Sequence, residues 1–366
     1  MKTNFDIQQA SIPYKSQGFL EIIQAKNPLF ILTIATTETG KIKGISAAGQ
    51  YPEFTDYTPP ADAELLLLGE CKSINGVPIT PDGIPTPALI TMSALRLARV
   101  PVLIASGGLK VKPQIPFLDF GGSPGRDIRT GNAVDNVSEV IERAKIAGEQ
   151  LAKTADYLVI GESIPGGTTT ALGVLSAMGI EAEGKVSSSL PTNPHELKWN
   201  AVQAGLAAAG EKIGSLADDP IRAISCVGDP MMAAFAGLVL GAAGEIPVMM
   251  AGGTQMTTVL AVVNVLNSDV LCNVAIGTTR WVVDDASSDI RGIVSQIAEV
   301  PVLAADLDFG GSRFDGLKAY EKGIVKEGVG AGGAAIAAMT ASGGAITKDL
   351  LLREIERDYE LLMGKK

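Results

Sequence analysis

The run Tyr157-Leu158-Val159-Ile160 passes straight into Gly161-Glu162-Ser163-Ile164-Pro165-Gly166-Gly167-Thr168-Thr169-Thr170, and Leu172, Leu175 and Ser176 then recur at helical spacing through residues 171–178. A strand that ends in a glycine turn and re-enters a helix limits the possible folds sharply. The arrangement recurs along the chain. Apolar strands are expected at 29–35, 65–68, 101–106, 221–227, 247–251, 270–276 and 302–306. Helices are expected at 5–27, 88–99, 132–153, after Pro194, at 231–240, from about 254 to 266, and in the charged amphipathic tail 347–363. Strands that are apolar throughout, rather than alternating, are buried on both faces, which implies a mostly parallel sheet between two helical layers. The expected fold is α/β, a three-layer α/β/α nucleotide-binding core over 28–340, with a small helical subdomain built from 1–27 and 341–366. The 366 residues, 46% hydrophobic, supply such a core easily.

In sheets of this kind ligands bind at the carboxyl ends of the strands. Those ends carry Gly107-Gly108, Gly166-Gly167-Thr168, Gly252-Gly253-Thr254, Gly277-Thr278 and Gly310-Gly311-Ser312. Glycine turns opening helices leave N–H groups and the positive end of the helix dipole free for phosphate. The irregular stretch 110–129, carrying Asp119-Phe120-Gly121-Gly122-Ser123-Pro124-Gly125-Arg126, has the length of a functional loop.

Charge and cysteines exclude other classes. The net charge is −10, from 40 acids and 30 bases, and no Lys/Arg cluster tracks a phosphodiester backbone, so neither nucleic acid nor an anionic membrane is an expected partner. Cys71, Cys226 and Cys272 form no CxxC pair; a reducing compartment is expected, with Cys226 and Cys272 as small core residues. The N-terminal residues hold no apolar h-region, and Glu245 and Pro247 interrupt the apolar stretch 231–253 before it reaches a membrane-spanning length. The protein is therefore expected in the cytoplasm. A single histidine, His195, and scattered cysteines speak against a zinc site or a Ser-His-Asp triad, and no GxxxxGK[ST] is present. No metal and no cofactor are expected.

Several motifs admit structural readings. Asp229-Pro230 reads as an N-cap followed by proline at the first helical position. Asn193-Pro194-His195-Glu196 reads as a capping-box-like start that leaves His195 exposed. Gly328-Val329-Gly330-Ala331-Gly332-Gly333 matches GxGxxG literally, but Lys326-Glu327 precedes it and only a small-residue helix follows. It is thus either close packing of that helix, an NAD fingerprint out of context, or a bulk-free floor beside Glu327. Glu162 either caps its turn or meets a ribose hydroxyl or a reacting proton. A phosphate and sugar site with two well-placed glutamates suits glycosyl transfer at a ribose anomeric carbon, where a carboxylate takes a proton from the incoming nucleophile.

Gly161-Glu162 with Gly166-Gly167-Thr168-Thr169 resembles the Gly-Glu-x-Gly-x-Gly-Asn-Thr-Thr motif of the nicotinate-nucleotide:dimethylbenzimidazole phosphoribosyltransferases. Glu327-Gly328-Val329-Gly330-Ala331 resembles their Gly-Glu-Gly-(Ser/Thr)-Gly-Ala motif, and Thr130-Gly131-Asn132 their Thr-x-Asn element. The resemblance spans residues 126 to 340 or so and is nearest to a divergent archaeal and cyanobacterial branch. Ile164 and Gly167 replace the family's Gly and Asn, Ala251 replaces its Asp, and the bacterial Pro-Pro-Gly-Ser-Leu-Gly signature is absent. The resemblance implies a pentosyltransferase acting on nicotinate mononucleotide and an aromatic base, as a homodimer. It implies Glu327 as catalytic base, Glu162 assisting or holding ribose, and phosphate contacts from Gly166, Gly167, Thr168 and Thr169. The strand-end turns add Gly252, Gly253, Thr254, Gly277 and Thr278 as expected substrate contacts, and the floor beside Glu327 adds Gly328 and Gly330. A non-catalytic nucleotide-binding regulator and an NAD-dependent oxidoreductase are the rival readings.

Overall fold

Strand positions alternate between two cores. The computed structural model describes residues 5–48, 52–80 and 83–364. Eight strands form one sheet: β1 (Ile7–Gln9), β2 (Pro28–Ala35), β3 (Val102–Gly108), β4 (Leu118–Asp119), β5 (Tyr157–Ser163), β6 (Val248–Ala251), β7 (Val274–Thr279) and β8 (Val302–Ala305). Their order is β1-β8-β7-β6-β5-β2-β3-β4, parallel throughout except for β1, which pairs antiparallel with β8. Leu29, Ile31, Leu158 and Ile160 face the helices Val137–Leu151, Gly167–Ala177, Pro230–Ala242 and Gln255–Asn267. Phe30, Leu32, Tyr157 and Val159 face Thr58–Leu68, Ala88–Leu97, Ala331–Ala341 and Lys348–Met363. Because successive side chains point to opposite faces, a strand apolar at every position serves both layers. The three-layer α/β/α fold is as expected.

Several local expectations are corrected. The N-terminal segment 5–27 opens with β1, which extends the sheet, before the helix Pro13–Ile23 begins. The run 65–68 ends the helix Thr58–Leu68 rather than forming a strand. Residues 221–227 lie in the helix Pro220–Val227, whose first turn is capped by Asp219 accepting from Arg222 N–H at 3.0 Å. Cys272 sits exposed in the 3-10 turn Ser268–Asn273, whereas Cys226 is buried. Residues 1–4, part of the N-terminal stretch read as lacking an h-region, lie outside the described residues.

Among the described residues, one helical stretch, Gln255–Asn273, is long and apolar enough to cross a membrane by length and composition, at 19 residues. Its Met256, Val259, Leu260, Val262 and Val263 are nevertheless buried in the core on one side of the sheet. That is the pattern of a core helix.

The Ala331–Ala341 helix sits unusually close to the sheet because glycines line its contact. A Cβ on Gly333 would lie 2.3 Å from the Ala251 Cβ, and one on Gly332 would lie 2.0 Å from the Thr278 carbonyl carbon. Gly333→Ala is therefore expected to destabilise the fold by about 1–3 kcal/mol, the range for overpacking a close contact. Urea unfolding should show a lower midpoint, partly restored by adding Ala251→Gly, and an unchanged midpoint would show that the helix is not seated on β6.

Candidate active site

A cavity of about 660 Å³ opens at the carboxyl ends of β5 and β6. Its floor is Glu162 to Thr168 with Gly253 and Gln255, one wall is Ser187–Ser189, and another is the turn from Val325 to Val329. The third side is apolar and aromatic, with Phe54, Tyr57, Ile79, Ile84, Pro85 and Pro87 prominent.

Two turns bring the glutamates together. Val325 and Val329 both adopt positive φ, 63° and 55°, as do Gly328 and Gly330. Positive φ at a β-branched residue is strained and persists only where surrounding contacts hold it. Here Val325 N–H donates to the Ser189 carbonyl at 3.2 Å, and Val329 N–H donates to the Glu162 carbonyl at 2.9 Å. Thr91 Oγ1 donates to the Val329 carbonyl at 2.9 Å. Glycine is required where the two segments meet: a Cβ on Gly330 would lie 3.0 Å from the Gly161 Cα. Glu162 and Glu327, far apart in the chain, thereby line one cavity.

Their environments differ. Glu162 is 3% exposed, and its carboxyl is pushed up to about 8 by burial, then by the charges of Glu327 and Asp229. It accepts from Ile164 N–H at 3.2 Å and, at 3.5 Å, from the Gln255 side-chain amide. Glu327 is raised to about 7 by burial, while neighbouring N–H groups oppose that rise. Its carboxylate accepts from Gly328 N–H at 3.1 Å and from Gly332 N–H at 3.2 and 3.3 Å, at the positive end of the Ala331–Ala341 helix. Of the two, Glu327 is thus better placed to hold the negative charge and Glu162 the proton. Lys326, the chain neighbour of Glu327, is not what holds its charge. The Lys326 ammonium pairs with Asp285 at 2.7 Å, and backbone N–H groups serve Glu327 instead.

The other expected site residues divide into two groups. Gly166, Gly167, Thr168, Gly253 and Gly328 line the cavity. Gly166, at φ 89°, precedes the eleven-residue helix Gly167–Ala177 and puts that N-terminus at the cavity floor. A Cβ on Gly167 would meet the Ile164 side chain at 2.9 Å, so glycine is needed there for packing as well. Thr169, Gly252, Thr254, Gly277, Thr278 and Gly330 lie outside the lining. Thr254 Oγ1 accepts from Ser187 N–H at 3.0 Å, Gly252 N–H donates to the Gly277 carbonyl, and Gly277 packs on Met249 and Gly333. These residues hold the walls rather than face the cavity. None of the residues 110–129 lines it either, and Gly107 and Gly108 are glycines because the backbones of Pro230 and Ser123 press against them. Asp229 caps its helix as expected, accepting from Met232 N–H at 3.2 Å, and receives the Thr170 hydroxyl. The Asn193 capping reading is corrected. Its side-chain N–H donates to the Val186 carbonyl, its Oδ1 accepts from Lys198, and His195 is half-buried.

Three features have no local signal in the sequence. Asp62 is a third acid of the cavity, raised to about 6 by burial against hydrogen bonds from Ser163 and Thr86. Ser187, Ser188 and Ser189 supply hydroxyls. Behind them, fully buried Lys198 donates to the Ser187 carbonyl at 2.6 Å and to Asn193 Oδ1 at 3.0 Å. Burial, and then the charge of Lys326, lowers Lys198 to about 7, against the opposing pull of Asp285. Gly328–Gly333 follows turns and the 3-10 helix Ala319–Lys322 rather than a strand, so a dinucleotide fingerprint lacks its context there.

A family model described as Phosphoribosyltransferase matches residues 122–280. The UPF0284 protein of Sulfurisphaera tokodaii is 45% identical over 344 residues, 94% of this chain and 96% of that protein. The UPF0284 protein of Archaeoglobus fulgidus is 48% identical over 336 residues, 91% and 94% of the two chains. The chain belongs to the UPF0284 family. The fold of this UPF0284 member is also that of CobT from Thermus thermophilus, at TM-score 0.58 and 17% identity over 97% of this chain and 93% of that one. A nicotinate-nucleotide-dimethylbenzimidazole phosphoribosyltransferase from the same organism matches at TM-score 0.57 and 17% identity, covering 97% and 92%.

Buried Glu162 carries a stability signature. A carboxyl raised in the folded state binds more protons than its unfolded counterpart between the unfolded value near 4.5 and the folded value near 8. Stability contributed by the protonated form is full below the lower value and is lost as pH rises through the upper one. Glu162→Gln should therefore flatten the decline of stability between about pH 5 and 8.5. Urea unfolding across that range checks this, and parallel curves for variant and wild type would count against a raised Glu162.

Proposed function

We propose that this UPF0284 member transfers 5-phosphoribose from nicotinate mononucleotide to a benzimidazole or purine base. Nicotinate leaves, and the product is an α-ribotide for the lower ligand of a cobamide. The observation that carries this reading is the convergence of Glu162 and Glu327 on a cavity with a helix N-terminus on one side and an apolar, aromatic wall on the other. A cytoplasmic homodimer accompanies it.

In the reaction the bond from C1′ to the nicotinate nitrogen breaks as the acceptor nitrogen attacks from the opposite face, inverting C1′. The acceptor's ring N–H proton goes to Glu327, whose raised value near 7 suits a general base at neutral pH. Protonated Glu162 donates a hydrogen bond to the ribose. The flat wall of Tyr57, Pro85 and Pro87 accepts a planar heterocycle.

The 5′-phosphate lies between the helix start at Gly166–Thr168 and the serine wall in this reading. Lys198 stands behind that wall, and Lys326, paired to Asp285, lines the adjoining turn. A protonated Lys198 leaves this corner positive, which favours an anion.

Incubation with nicotinate mononucleotide and a panel of bases, with mass detection of nicotinate and ribotide, tests the reading directly. Glu327→Gln should retain nucleotide binding while turnover falls by about 10²–10⁴-fold, the usual contribution of a positioned general base. Wild-type turnover in that variant would assign Glu327 to helix capping alone.

Lys198→Met should weaken nicotinate mononucleotide binding about tenfold below pH 7, roughly one interaction's worth of affinity. The difference should shrink as pH rises through about 7 and wild-type Lys198 loses its proton. Titration calorimetry at two pH values measures it, and equal affinities at low pH would move the phosphate elsewhere.

A further inference from the structure

Asp62 has no part in the chemistry above, yet it is 2% exposed at the edge of the cavity and joins three of its parts. It stands on the Thr58–Leu68 helix. Thr86 Oγ1 donates to its Oδ1 at 2.8 Å, and Ser163 Oγ donates to its Oδ2 at 2.8 Å. Ser163 is the last residue of β5 and directly follows Glu162. Thr86 belongs to a pair of arms, residues 78–80 and 83–87, that supply much of the apolar wall. Thr80 N–H donates to the Ile84 carbonyl and Thr86 N–H to the Pro78 carbonyl, both at 2.9 Å, around an antiparallel bridge between Ile79 and Pro85.

The arms have two further anchors. Tyr320 Oη donates to the Pro85 carbonyl at 2.9 Å and Tyr359 Oη to the Gly83 carbonyl at 2.8 Å. Both tyrosines belong to the helical layer behind the arms. Asp62 differs from them in reaching the strand that bears Glu162. Each hydroxyl has a single proton, and both protons are committed to one carboxylate, so the Ser163 and Thr86 side chains are fixed relative to each other. Burying that carboxylate between neutral partners costs stability, and a local cost at the edge of a cavity is where a functional constraint is expected.

We propose that Asp62 is a positioning residue that latches the arms 78–80 and 83–87 to the end of β5, setting the spacing between the apolar acceptor wall and the Glu162–Glu327 pair. The acceptor half of this statement rests on the phosphoribosyl-transfer reading; the latch does not. Asn at this position keeps both links, because one hydroxyl can donate to its oxygen and the other can turn to accept from its amide. Ala keeps neither.

The test compares the full-length wild type with Asp62→Asn and Asp62→Ala by hydrogen exchange at the Thr80, Ile84 and Thr86 amides and by steady-state kinetics. Asp62→Ala should exchange faster at those amides and raise KM for the base about tenfold, leaving KM for nicotinate mononucleotide within about twofold. Asp62→Asn should stay near wild type in both measurements. Unaltered exchange in Asp62→Ala, equal loss for base and nucleotide, or an Asn variant as impaired as the Ala variant would each overturn the proposal. If the wild type transfers phosphoribose to no base, the transfer reading fails, and exchange alone still decides the latch. Should Asp62→Ala not fold, Ser163→Ala and Thr86→Val each remove one of the two bonds and carry the same expectations.

Discussion

One backbone hydrogen bond, from Val329 N–H to the Glu162 carbonyl, joins the two halves of the site. It forms only because Gly161 and Gly330 let the end of β5 and the turn before the Ala331–Ala341 helix approach to backbone contact. The strained φ of Val329 follows from that approach, as does the seating of the helix on β6 and β7. Glu327 is then positioned by the same helix, whose first-turn N–H groups hold its carboxylate. Packing and electrostatics at the site are thus consequences of a single close contact between glycines.

The cavity carries both signs of charge. Asp62, Glu162 and Glu327 line it, as do Lys72 and the Asp285-paired Lys326, while Lys198 stands behind the serine wall. Burial raises all three acids, but their hydrogen bonds differ: backbone N–H groups for Glu327, hydroxyls for Asp62, and one amide N–H with a long contact from Gln255 for Glu162. The least well-solvated carboxyl keeps its proton longest. As pH rises, Glu327 is therefore the first of the two glutamates to ionise.

The same local signal carries different weight at different places in the sequence. Asp229-Pro230 reads as a cap and first helical residue, and the structure agrees. Asp219-Pro220 carries the same signal, but the apolar run behind it has the composition of a strand; it is a helix capped by Asp219. Likewise Thr58-Pro59-Pro60 announces the helix that ends in the 65–68 leucine run. A short continuous apolar run fits a buried helix as well as a buried strand. That ambiguity hides Asp62, since an acid one turn inside a helix start is unremarkable until the layer it faces is known.

The sequence by itself determined the parallel α/β architecture, because strands apolar at every position can only lie between two covering layers. It also determined which two glutamates sit beside glycine turns, because those turns are local. Which turns face the cavity was decided by tertiary structure alone. Gly107, Gly108, Gly277 and Gly333 look in sequence like Gly253, but the former are filled by neighbouring backbone and side chains while Gly253 lines the cavity. Glycine marks close approach of something to the backbone, and only the packed layers specify whether that is protein or substrate. The same holds for Lys198 and Asp62, whose roles come from partners far away in the chain and from burial that no local pattern encodes.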